Sequence, residues 1–139
     1  MMPTADPADP AGSPGSLHMQ LVRDVRAPAI ARSAVSEQLF AMAVDGSVGQ
    51  TIVLLVSEVV SNAVRHSLGP PDAPITLEAT ISERSVRIAV TDAGEGFTPR
   101  QRDPQRLDEG YGLYLLDKAA SSWGVEGEGA TTVWFELEH

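Results

Sequence analysis

A chain of 139 residues suits one compact domain, and the absence of cysteine excludes disulfides, thiol nucleophiles and thiolate metal sites together. Ten Lys and Arg stand against 19 Asp and Glu, a net charge of −9. That balance lacks the basic stripe of a phosphate-backbone binder, so no direct nucleic-acid contact is expected, although backbone amides and a metal ion can still meet one nucleotide locally.

Residues 1–16 read MMPTADPADPAGSPGS, almost without large apolar side chains, so a disordered tail is expected ahead of one folded unit over 17–139. His18 to Val25 reads as a first strand at a sheet edge. Pro28 suits the first turn of a helix running to about Val44. Asp45-Gly46 breaks it, and Ser47 is the candidate N-cap of a second helix reaching about Ser67. Gly69-Pro70-Pro71 then stops the chain. Three segments alternate with period two: Ile75, Leu77, Ala79 and Ile81; Val86, Ile88 and Val90; Val133, Phe135 and Leu137. Such alternation marks antiparallel strands covered on one side. A polar stretch from Phe97 to Glu109 and a short helix from about Gly112 to Ser121 lie between the last two strands. The expected fold class is α+β: a two-layer α/β sandwich, its sheet mixed but mainly antiparallel, with helices on one face.

No Gly-Lys-Ser/Thr run exists for a Walker-type phosphate loop. No apolar run approaches the ~20 residues of a membrane span, and no basic-then-apolar leader opens the chain, so a cytoplasmic protein without membrane contact is expected.

Three motifs carry chemistry. In the second helix Glu58, Asn62 and His66 recur every four residues and line one edge beside the apolar stripe Ile52, Val56, Val59 and Ala63. An amide oxygen is a hard ligand suited to magnesium, and a carboxylate one turn away can take a proton. The plain alternative is an amphipathic helix with a solvated edge. Next, V-T-D-A-G-E-G-F ends a strand at Asp92. There Gly94 and Gly96 allow close backbone approach, and the carboxylate can accept a hydrogen bond from a base amine. Last, G-Y-G-L places Gly110, Gly112 and Leu113 at a helix start, where free amides favour phosphate. Each glycine run alone also fits an ordinary turn.

Taken in order, E-x-x-x-N-A-x-x-H, strand-D-x-G-x-G-F, G-x-G-L and a closing T-T-V-W strand resemble the GHKL ATPase superfamily with its Bergerat nucleotide-binding fold. Within it, the sequence is similar to the RsbW-like anti-sigma factor serine/threonine kinases. The resemblance covers about Leu17 to Glu138. It implies ATP and Mg2+ as cofactors, with Asn62 holding the metal and Glu58 as general base. Asp92 would recognise the adenine amine, Gly94 and Gly96 shaping that pocket. His66 would belong to the same nucleotide site. Gly110, Gly112 and Leu113 would flank the phosphates beneath a lid formed by the preceding loop, and Thr132 would stand near an adenine-bound water. Relatives often carry lysine just before that threonine. Thr131 stands there instead, which removes a cationic phosphate contact; Arg100, Arg102 and Arg106 would either compensate or belong to a solvated loop.

The resemblance implies an anti-sigma factor with protein serine kinase activity toward an anti-sigma antagonist. The alternative is an ATP-sensing regulator that captures a partner and transfers nothing. A histidine-kinase catalytic domain is disfavoured, because the short segment before Leu17 has no room for a phosphoacceptor helix. The implied partners are a sigma factor, an antagonist protein, or both, and a second copy in a homodimer.

Overall fold

The computed structural model describes residues 15–44, 46–66, 69–93, 114–127 and 129–139. Gly94, Gly96, the Phe97–Glu109 stretch, Gly110, Gly112 and Leu113 lie outside the described residues. The element order is β1 (Ser16–Leu21), α1 (Ala27–Ala41), α2 (Gly46–His66), β2 (Ile75–Ile81), β3 (Ser85–Asp92), a short helix at 114–119, β4 (Ser122–Gly127) and β5 (Thr131–Glu138). The strands form one five-stranded sheet in the order β1-β2-β3-β5-β4. Every described ladder is antiparallel, so no parallel pair enters the expected mixture.

The first strand does lie at an edge, and it begins one residue before the expected unit. Gly15 is itself tied down: its N–H donates to Gln38 Oε1 at 3.0 Å, and its carbonyl accepts from the Ile81 N–H at 2.6 Å. Gly15 takes φ +83°, and a Cβ there would sit 2.7 Å from the Ile81 carbonyl oxygen, so a side chain meets both backbone strain and a collision.

Pro28 occupies the first turn of α1 as expected, and Ala27, Ala31, Val35 and Leu39 form its buried stripe. The helix stops at Ala41 instead of about Val44 because Ala43 adopts φ 55°, a left-handed residue of the kind that closes helices. Helix α2 starts at Gly46, so Ser47 lies inside the first turn and its carbonyl accepts from Thr51 Oγ1 at 3.2 Å.

The core lies between the two helices and one face of the sheet. Helix α2 contributes Ile52, Leu55, Val56, Val59, Val60 and Ala63. The facing strands contribute Ile75, Leu77, Ala79, Ile81, Val86, Ile88, Val90, Phe135 and Leu137, the side that each alternation predicted. Contrary to the reading of apolar runs, α2 is long and apolar enough to cross a membrane, the one such helix among the described residues. Its apolar stripe packs on the sheet and α1, as a core helix does.

Strand β4 was not foreseen. Ser-Trp-Gly-Val-Glu-Gly offers two apolar side chains and two glycines, too little for a strand pattern. Trp123 and Val125 pair with Phe135 and Val133, so they join the core side of the sheet.

Candidate nucleotide site

Strand register lines up one end of the sheet. Leu21 pairs with Ile75. Thr76 pairs with Thr91, which sets Ile75 beside Asp92. Asp92 pairs with Thr131, and Thr131 with Gly127. Side chains alternate along a strand. Asp92 therefore shares the helix-covered face with Val86, Ile88 and Val90, at whose end it is half-buried.

The same alternation separates the two threonines. Thr131 lies in phase with Val133, Phe135 and Leu137, is 4% exposed and stands directly across from Asp92. Thr132 lies on the open face, where its Oγ1 is 2.7 Å from Thr91 Oγ1. The geometry thus sets Thr131, and not the expected Thr132, on the side of the sheet where Asp92 lies. Stepping back two residues from Val133 would have found it in the sequence.

Helix α2 supplies the second wall. Glu58, Asn62 and His66 are all half-buried. Each step of four residues advances the direction around the helix by about 40°. The row therefore winds from the outer surface at Glu58 toward the core stripe at His66, whose Nε2 is buried. The Asn62 Oδ1 accepts from Arg65 Nη2 at 3.0 Å, so this oxygen is turned toward a cation. Helix α1 covers the opposite flank, where Arg32 Nη1 donates to Ser57 Oγ at 2.8 Å.

The two walls meet at one end of the molecule. Arg23 follows Leu21, the first member of the row, by two residues. Its Nε donates to the Val64 carbonyl at 3.1 Å and its Nη1 to the Gly69 carbonyl at 3.3 Å. The C-terminal end of α2 is thereby held at the sheet end that carries Asp92 and Thr131. Asn62 and His66 belong to that end of the helix, and Glu58 stands one turn behind Asn62. The groove lined by Arg84, Ser85, Glu136, Glu138 and His139 lies at the other end of the sheet and has no part in this arrangement.

The donor set fits magnesium in a particular way. No three His, Asp or Glu side chains converge among the described residues, so the protein builds no metal cage of its own there. One amide oxygen beside one carboxylate suits a cation that keeps waters and takes its remaining ligands from phosphates. Adenine needs an acceptor for its amine and an apolar bed, and half-buried Asp92 above Val90 offers both.

A profile of the histidine kinase-like ATPase domain matches residues 21–137. Among solved structures, the chain is similar to the RsbU and RsbW domains of Rv1364c from Mycobacterium tuberculosis, with a TM-score of 0.70 and 25% identity. That match covers 88% of this chain but 32% of the other, so this chain spans less than two thirds of that protein. No curated protein matches. The profile takes in nearly all of the folded part, from the end of β1 through β5. With its α+β sandwich and the paired α2 and β3 walls, the chain belongs to the histidine kinase-like ATPase domain family.

Proposed function

We propose that this chain binds ATP with magnesium and transfers the γ-phosphate to a serine of a small antagonist protein, while the same domain captures a sigma factor. The observation that supports this reading is the Arg23 tie between the last turn of α2, two residues past Asn62, and the sheet end where Asp92 pairs with Thr131. The RsbW domain in the similar structure supports the regulatory context.

In this reading Asp92 accepts a hydrogen bond from the adenine amine, and Thr131 lies across from it as a second polar contact. Asn62 Oδ1, which accepts from Arg65, would hold the metal, and the metal would supply charge neutralisation on the phosphates. Glu58 takes the proton of the serine hydroxyl as its oxygen bonds to the γ-phosphorus and the bond to the ADP oxygen breaks. Gly94, Gly96, Gly110, Gly112 and Leu113 complete the nucleotide contacts, and the protein works in the cytoplasm as a homodimer.

The test is incubation with ATP labelled at the γ-phosphate and the small proteins encoded beside it. Label on a partner serine, lost in Glu58→Gln, is the expected result. Tight ATP binding without any transfer, together with ATP-dependent retention of one of those proteins, would instead favour the ATP-sensing regulator that captures partners only.

A further inference from the structure

We propose that Arg23 is a positioning residue for the metal-binding wall, a proposal that rests on the nucleotide reading above. The last four carbonyls of a helix have no partner within it, and a cation there also answers the helix dipole. Val64 carries one of those carbonyls, and Arg23 Nε donates to it at 3.1 Å. The second arm of the same guanidinium reaches the Gly69 carbonyl, beyond the helix end, at 3.3 Å. One planar fork thus bridges the last turn of α2 and the chain on its way to β2, a geometry that a lysine point charge cannot reproduce. Arg23 itself is fixed by β1, because Leu21 is buried and paired with Ile75 at the head of the row that contains Asp92. The distance between Asn62 and Asp92 is therefore set through Arg23. Close packing of its Val, Ile and Leu stripe seats the body of α2, but its last turn lies beyond the final buried residue, Ala63, and would slide against the sheet end without the fork. A ligand that touches both walls feels such a slide, whereas one that touches only the strand does not.

The experiment compares adenosine, which reaches the Asp92 wall alone, with Mg·ATP, which spans both. Calorimetry is run on the wild type, Arg23→Gln, Arg23→Lys and the core control Ile81→Val at the opposite end of the sheet. Arg23→Gln should weaken Mg·ATP about tenfold, the lower end for removing a group that orients a metal ligand. Adenosine affinity should stay at the wild-type value. Arg23→Lys should recover part of the loss, and Ile81→Val should leave both affinities unchanged. Amides from Val60 to His66 should exchange faster in Arg23→Gln with no nucleotide present. Unchanged Mg·ATP affinity in Arg23→Gln, or equal loss for adenosine and Mg·ATP, overturns the positioning role while the nucleotide site stands. A wild-type chain that binds neither ligand overturns the nucleotide reading and this proposal together.

Discussion

Asp92 tests the strand wall most directly. Asp92→Asn removes the charge from the acceptor and replaces one of its two oxygens by a donor. Losing a hydrogen bond to a charged group costs about 1.5–3 kcal/mol, so ATP affinity should fall roughly 10- to 100-fold with little change in the unfolding midpoint. Calorimetric titration showing wild-type affinity would remove Asp92 from the pocket. Asn62→Ala tests the other wall: magnesium should no longer improve ATP binding, measured as affinity with and without the metal. A smaller effect concerns Asp24, whose carboxyl is held below its ordinary 3.8 by the side-chain hydrogen bonds from Arg26 and then by the Arg26 backbone N–H. Its folded value is depressed, so the stabilisation is present above the ordinary value and disappears as pH falls through the lowered one. An NMR titration should show the Asp24 carboxyl returning toward 3.8 in Arg26→Ala. Glu58, Asn62 and Asp92 draw notice in the sequence because their side-chain chemistry coincides with helical and strand-end spacing. The choice between Thr131 and Thr132 turns on strand phase, which two identical neighbours conceal until the count is run back from Phe135 and Val133.

Among the elements, strands β2, β3 and β5 were legible because each shows a buried side on alternate residues over at least five positions. Strand β4 was hidden by its glycines, and those glycines have a reason. A Cβ on Gly124 would lie 2.8 Å from Trp134 Nε1, so the indole of β5 lies across the backbone of β4. The Arg87 guanidinium stacks on the same ring 4.3 Å from its centroid and pairs with Glu136 at 2.9 Å. The composition that obscures the strand is thus what lets a tryptophan lie on it. Gly124→Ala should cost about 1–3 kcal/mol by overpacking, read from chemical denaturation. The same change made in Trp134→Val should cost much less, because the clash partner is gone.

At the scale of the whole molecule, the two-layer order was legible from the succession of one edge strand, two helices and alternating strands, while the strand order was not. Nothing in the letters says that β5 inserts between β3 and β4; that follows from β3 needing an apolar neighbour along its whole length, which β5 supplies from Thr131 to Glu138. Nucleotide should act on the whole fold by mass action: at 100 times the dissociation constant, Mg·ATP should add about 2.7 kcal/mol, a rise of roughly 10 °C in the thermal midpoint. An unchanged midpoint at saturating nucleotide would count against binding to the folded state. Sedimentation should show the homodimer at high protein concentration, and monomer alone, with and without ATP, would defeat that part of the proposal.

The placement of β5 beside β3 also sets a timetable for folding. The β2–β3 and β4–β5 hairpins join neighbours in the chain and can form early, whereas the β3–β5 ladder must close the whole 93–130 segment. Asp92 and Thr131 sit on opposite sides of that seam. The corner proposed to hold the base therefore exists only after this long-range pairing is made, and a fluorescent adenine analogue added during refolding should report that step and not the earlier formation of helices. Association of the probe in step with far-UV helix signal would show the seam closing early instead.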